Sequence, residues 1–298
     1  MSASRLPEHP TPPEPPTPAV HPVQRPGAIR AGRNLWAAIA VGLLLGAAVL
    51  VALLTVRQVF IGIVAAAVAV SSWELAGALR RAGIRVALAP VLVGGQAMVW
   101  LAWPFGRDGI LVPFVITVLA CLLWRFPRGA AGYVRDVTAS VFSAAYVPGF
   151  AAFATLLVVP IDGAARALCL MLAGVASDVG GYATGVWGGR HLMAPTISPK
   201  KSWEGFIGSL VAGIAAGGVS VTYLLGGQLW QGVLFGGAIV FTATGGDLVE
   251  SLIKRDLGVK DMATTLPGHG GLMDRMDSLL PSAVVSWLLL SLLIPVGG

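Results

Sequence analysis

The sequence predicts an all-α fold: a polytopic integral membrane bundle of about nine transmembrane helices. Three observations lead there. Of the 298 residues, 56% are hydrophobic and 11% are charged, whereas soluble domains carry about 25% charged residues. The apolar residues fall into stretches close to the ~20 residues that a helix needs to cross a bilayer. Lys and Arg gather in alternate connections between those stretches. Backbone groups in hydrocarbon must be paired within their own segment, so the stretches are read as helices packed in a bundle.

The chain opens on a segment that none of this describes. Residues 1–34 hold nine prolines between Pro7 and Pro26 and no apolar core. They read as a disordered Pro-rich tail, and the missing apolar stretch argues against a signal peptide. The expected spans then follow in order, at about 35–56, 58–79, 86–104, 110–125, 137–160, 164–188, 205–225, 230–254 and 279–296. Residues 35–163 form a first group of helices, and 164–298 form a second, which carries the chemistry. Many spans are rich in Gly, Ala and Ser, which let helices approach closely in lipid. Cys121 and Cys169 lie inside apolar runs without metal-ligand spacing, and read as small core hydrophobes.

Basic residues set the expected orientation. With the N-terminus in the cytoplasm, the tail and the alternate connections place Arg80, Arg81, Arg85, Arg125, Arg128, Arg135, Arg190, Lys200, Lys201, Lys254, Arg255, Lys260 and Arg275 on the cytoplasmic side. Of the 20 Lys and Arg, only Arg57, Arg107 and Arg166 fall opposite. The formal net charge of +6 therefore lines one membrane face. It suits lipid head groups and anionic cytosolic substrates, not a nucleic-acid duplex.

Polar residues cluster at that face in three places. Ser177-Asp178 and Gly180-Gly181-Tyr182 interrupt the sixth apolar stretch. Ser198, Lys200, Lys201, Ser202 and Glu204 precede the seventh. The longest cluster begins at Asp247 and runs through Ser251, Lys254, Arg255, Lys260, Asp261, His269, Gly270, Gly271, Asp274, Arg275 and Asp277 to Ser278. On a helix Asp247, Ser251, Lys254 and Arg255 share a face, and so do Asp274, Asp277 and Ser278. Two carboxylate-bearing faces joined by a Gly-rich loop can converge on a hard cation. Mg²⁺ takes one or two carboxylates together with phosphates and water. Lys and Arg nearby would hold phosphate oxygens, and the loop amides could approach an anion. Singly, these residues have plain alternatives: Lys254 and Arg255 as membrane anchors, Glu204 as support for a helix start, His269 as a loop residue. Their coincidence on one face of a charge-poor chain favours a site. The metal ligands expected are Asp247 and Asp274, with Asp277 close behind and Asp178 next. Neither Asp247 nor Asp274 has a cation at i+4 on its own helix, and carboxylates held together out of water need a neutralising charge.

The stretch Ser251–Asp277, SLIKRDLGVKDMATTLPGHGGLMDRMD, resembles the signature of the phosphatidate cytidylyltransferase family. That pattern runs S-x-hydrophobic-K-R, four residues, K-D, then P-x-H-G-G, then D-R-x-D. Upstream, ISPKKSWEG is similar to the family's S-P-K-K-T-x-E-G element, with Ser202 in place of the commoner threonine. Asp178 with Gly188-Gly189-Arg190 resembles its D-x-x-A/G-Y…G-R segment. The resemblance covers about residues 170–280, and the first five spans match only in hydropathy. It implies transfer of the cytidylyl group of CTP to phosphatidic acid at the cytoplasmic face of a bacterial-type inner membrane. It also implies Mg²⁺, with a second cation open, and a homodimer. Asp247, Asp274, Asp277, Lys254 and Arg255 would be catalytic. Asp178, Ser198, Lys200, Lys201, Glu204, Ser251, Lys260, Asp261, His269, Gly270, Gly271 and Arg275 would bind substrate.

Other readings are weaker. A polyprenol kinase, or a cytidylyltransferase for another lipid phosphate, would share the membrane logic without needing the whole pattern. A CDP-alcohol phosphotransferase needs D-G-x-x-A-R, and Asp162-Gly163-Ala164-Ala165-Arg166 is one residue short of it. A transporter would spread acids through the bilayer depth and show internal repeats. No GxxxxGK[ST] is present, which argues against a P-loop NTPase.

Overall fold

The computed structural model describes residues 34–265 and 270–295. The Pro-rich segment 1–33 and His269 lie outside them. The order is α1 (Asn34–Thr55), α2 (Arg57–Arg81), α3 (Leu88–Phe105), α4 (Asp108–Arg125), α5 (Tyr133–Ala144), α6 (Phe150–Val158), α7 (Gly163–Gly188), β1 (Leu192–Ala194), β2 (Ser198–Ser202), α8 (Trp203–Leu225), α9 (Leu229–Asp256), α10 (Met273–Met276) and α11 (Leu279–Leu293). Among the described residues, eight helical stretches are long and apolar enough to cross a membrane, and α1 precedes them. The chain is a multi-pass membrane protein, as the expected all-α class requires.

The fifth stretch departs from a plain helix. Between α5 and α6 the chain makes a π turn over Ala145–Gly149, with Pro148 inside it. Proline cannot donate a helical hydrogen bond, and a wider turn accommodates the lost one. The expected span at 137–160 is therefore found at Tyr133–Val158, in two helices joined through that turn. A second addition is the antiparallel hairpin β1–β2, with Leu192 opposite Ser202 and Ala194 opposite Ser198. It occupies the polar connection before α8. Ser202 ends β2 and caps α8, its hydroxyl accepting from Gly205 N at 3.1 Å.

The core is built by α2, α3, the π turn and α6. Val68, Leu75, Met98, Val99, Tyr146, Val147 and Leu156 are buried there, together with Met262, Met273 and Leu280 from the carboxyl-terminal region. Outward faces stay apolar, as on α4 with Leu111, Val115, Ile116, Leu119 and Leu123. Hydrocarbon is the natural solvent for such a face. Helices α7, α8 and α9 pack through glycine. A Cβ at Gly180 would lie 2.6 Å from the Gly208 carbonyl, and one at Gly217 would lie 2.6 Å from the Gly232 carbonyl. Small residues at these crossings bring the backbones into direct contact.

Polar contacts tie the helices at both ends. At one end Arg57 donates to the Pro160 and Ile161 carbonyls. There too Arg166 donates to Asp162 and to the Leu290 and Ile294 carbonyls. At the other, Asp136 accepts from Arg125 Nε at 2.9 Å, Arg135 Nε at 3.3 Å and Arg85 N at 3.1 Å. The site lies at this second end. Cys121 and Cys169 are buried free thiols, as expected.

Candidate active site

Helix α9 carries Asp247, Glu250, Ser251 and Lys254 along one face near its last turns, and these line a 410 Å³ cavity. Gly246 makes that approach possible: a Cβ there would lie 2.9 Å from Pro281 Cγ. The facing wall is Asp274, Arg275, Asp277 and Ser278, from α10 and the turn into α11. Asp178 of α7 and Lys201 of β2 complete the lining. All three polar clusters of the sequence thus reach one cavity.

Each of the expected leading acids has a cation, supplied from elsewhere in the chain. Lys201 Nζ lies 2.6 Å from Asp247 Oδ2, so the hairpin is tied to α9. Lys254 Nζ lies 3.0 Å from Asp274 Oδ1 and also pairs with Glu250. Asp274 accepts further from Gly271 N at 2.9 Å and from Met262 N at 3.2 Å. Asp277 Oδ1 accepts from Ser278 N at 2.7 Å. Glu250 is 1% exposed, and its Oε1 has no hydrogen-bond partner among the described residues.

The other expected residues sit around this centre. Lys200 joins Lys201, Asp178 and Asp247 around an adjoining 350 Å³ cavity between α7, α8, α9 and the hairpin. That cavity is also lined by Ser177, Gly181 and Ser209. Ser198 stands at the start of β2. Arg255 points away from its helix neighbours' cavity, with Nε 3.4 Å from the Ile197 carbonyl of the hairpin turn. Glu204 holds the entrance to the hairpin, accepting from Arg190 N and His191 N at 3.2 Å and pairing with the His191 ring at 2.6 Å. Lys260 is exposed, and Asp261 lines a separate 450 Å³ cavity against α2. Gly270 takes φ +81°, a backbone form that favours glycine. Gly271 is buried beside Asp274.

Two acids outside the expected set belong here. Glu250 lies one turn from Asp247 on α9. Glu74, on α2, is 2% exposed and accepts from Leu272 N at 3.0 Å and Met273 N at 2.7 Å. One signal could have found Glu74: a single acid within an apolar run is functional by default.

The donor set fits a hard divalent cation. Asp178, Asp247, Glu250, Asp274 and Asp277 outnumber Lys201, Lys254 and Arg275 around the main cavity. Anionic reactants entering it need extra positive charge. Among the described residues no three His, Cys, Asp or Glu form a ready metal cage. An ion here would thus take one or two carboxylates and complete its shell with substrate oxygens and water, the habit of Mg²⁺.

The "Cytidylyltransferase family" model matches residues 36–293. This chain belongs to that family. The similarity extends through the amino-terminal helices, where the motifs are silent. A phosphatidate cytidylyltransferase of Mycobacterium bovis is 50% identical over 277 residues, covering 89% of this chain and 90% of that protein. One from Mycobacterium leprae is 51% identical over 280 residues, covering 89% and 90%. One from Helicobacter pylori is 40% identical over 138 residues, covering 46% of this chain and 51% of that protein. In this chain the cavity is lined by Ser251, Lys254, Asp274, Arg275 and Asp277 of the Ser251–Asp277 pattern, joined by Asp178, Lys201, Asp247, Glu250 and Ser278.

Proposed function

We propose that this chain transfers the cytidylyl group of CTP to phosphatidic acid, giving CDP-diacylglycerol and pyrophosphate for phospholipid biosynthesis. One observation carries the reading: acids and bases from three separate segments meet in one polar cavity at the end of a membrane bundle, in a chain half identical to enzymes named for this reaction. A lipid phosphate at the interface and a water-soluble nucleotide can both reach such a place.

An oxygen of the lipid phosphate attacks the α-phosphorus of CTP. The bond from that phosphorus to the bridging oxygen breaks, and pyrophosphate leaves with the electron pair. Lys201 and Lys254 hold phosphate oxygens as substrate displaces part of their pairing with carboxylates, and Arg275 adds a third cation to the cavity wall. One or two of Asp247, Asp274 and Asp277 would hold Mg²⁺, with Glu250 and Asp178 beside them. When bound, the ion would supply positive charge for the reacting phosphates and the departing pyrophosphate. Ser251 and Ser278 add hydroxyls to the wall. A phosphate monoester is already anionic near neutral pH, so no strong base is required. Alignment and charge neutralisation do the catalysis.

Basic-residue placement supports a cytoplasmic N-terminus and a cytoplasmic site in a bacterial-type inner membrane. The family resemblance supports a homodimer and leaves room for a second cation. The test is an assay of detergent-purified protein with CTP, dCTP, ATP and phosphatidic acid, with and without Mg²⁺. CDP-diacylglycerol and pyrophosphate are expected from CTP only when Mg²⁺ is present. Phosphorylated lipid without cytidylyl transfer would replace this reading with a lipid kinase.

A further inference from the structure

We infer that Glu74, contributed by an amino-terminal helix, is a positioning residue that fixes the Asp274-bearing turn for catalysis; this rests on the proposed reaction. Ser71, Glu74, Ala78 and Arg81 recur along one face of α2. That face meets the segment between α9 and α11. Arg81 donates to the Met262 carbonyl, and the Ser71 hydroxyl lies 3.3 Å from Met276 Sδ. Between them Glu74 accepts from three donors: Leu272 N, Met273 N and the Thr265 hydroxyl. Helix α2 therefore grips this segment on both sides of the Gly-rich stretch and again beyond Asp274.

The turn needs that grip. Helix α10 has four residues, too few for its own hydrogen bonds to hold it. Its leading amides have no partner within the helix, and Glu74 takes those of Leu272 and Met273. Asp274 takes the neighbouring amides of Gly271 and Met262. Two carboxylates, one from α2 and one from the turn itself, thus share a run of amides. Gly271 is pinched between them. A Cβ there would lie 2.8 Å from Glu74 Oε2 and 2.9 Å from Asp274 Oδ2. A side chain there would push one or both carboxylates off this backbone.

Burial makes the arrangement stiff. A carboxylate that is 2% exposed is tolerable only while its donors stay in place. If the turn moved, Glu74 would be stranded without them. Glu74 does not line the 410 Å³ cavity, and faces the separate cavity with Arg80, Arg81 and Asp261. It acts on the reaction through Asp274, not by touching substrate.

The test is Glu74→Gln in the full-length protein. Gln keeps the size but replaces one acceptor oxygen with an NH₂ that faces amide donors. In the substrate-free protein, amide hydrogen exchange in the peptide covering 262–276 should speed up at least tenfold, while peptides from α8 and α9 stay unchanged. Among folded molecules kcat should fall at least tenfold, with KM for CTP within threefold. Glu74→Asp, which keeps the charge but retracts it, should fall between the two on both measurements. Thr265→Val removes one donor at an exposed position and should give a smaller change in the same direction; it decides the matter if Glu74→Gln does not fold. Wild-type exchange at 262–276, or an activity loss matched by loss of folded protein, would overturn the inference. If the wild type made no CDP-diacylglycerol, the proposed function would fail, and the exchange measurement would still decide whether Glu74 holds the turn.

Discussion

The amino-terminal helices α1–α6 and the carboxyl-terminal region from α7 to α11 both bury acids beside cations, but to different ends. In the first region Asp136, 1% exposed, is surrounded by Arg125, Arg135 and the Arg85 amide. Its oxygens are engaged and no cavity adjoins them among those described. In the second, Asp247 pairs with a partly exposed lysine, and Glu250 keeps one oxygen without a partner among the described residues. These acids face a polar cavity. Similar ion pairs are therefore structural where donors close the shell, and open to reaction where substrate and metal could complete it.

Replacing the open acids is the strongest way to break this contrast. Asp274→Asn or Asp247→Asn keeps the shape and removes the charge. Turnover should fall by at least about a hundredfold while the protein still inserts and purifies. Any residual activity should need more Mg²⁺. Near-normal turnover at ordinary Mg²⁺ in both variants would move the metal to Asp178, Asp261 or Asp277. Next in size is Lys254→Gln, which removes the cation shared by Glu250 and Asp274. Its kcat/KM should fall at least about tenfold, since bonds to charged groups contribute roughly 1.5–3 kcal/mol. Unchanged kinetics would return Lys254 to the role of a membrane anchor.

The closed pair should answer differently. Asp136→Asn leaves the Arg125 charge buried without its counter-ion, at a loss of roughly 3–5 kcal/mol of stability. Thermal inactivation in detergent should come markedly earlier, yet the activity of the folded fraction should stay within about twofold of wild type. A direct loss of kcat would erase the distinction between the two regions. Smallest of all, deletion of residues 1–25 should leave specific activity within about twofold.

The contrast also marks how far the sequence can be read. The spans were legible because hydropathy is a local property, and α7 to α9 and α11 lie close to their expected ranges. The π turn at Ala145–Gly149 was hidden inside an apolar run with no polar break. The hairpin was hidden because its strands have three and five residues, too short for an alternating pattern to stand out. Asp247 and Asp274 were legible as candidates, but their partners were sought one turn away. Lys201 reaches Asp247 across 46 residues, and Lys254 reaches Asp274 across 20. Helical spacing carries no information at that range. Arg255 shows the opposite error. It shares the helix face by spacing, yet its guanidinium turns toward the Ile197 carbonyl. Glu74 was missed because its partners lie in the segment that carries the family pattern, and nothing in α2 itself announces them.

The contact between Glu74 and Met273 spans 199 residues, and that distance is also an interval of time. A ribosome adding about 5–20 residues per second needs roughly 10–40 s to travel it. Throughout that interval α2 exists while the turn that Glu74 grips has not been made. The acid waits about two turns before the end of its helix, beside Arg80 and Arg81. Met262, Gly271 and Met273 emerge only at the close of that interval, and only then do both carboxylates find their amides. The cavity wall formed by Asp274, Arg275, Asp277 and Ser278 therefore comes into being only after the other walls, on α7, β2 and α9, have been made.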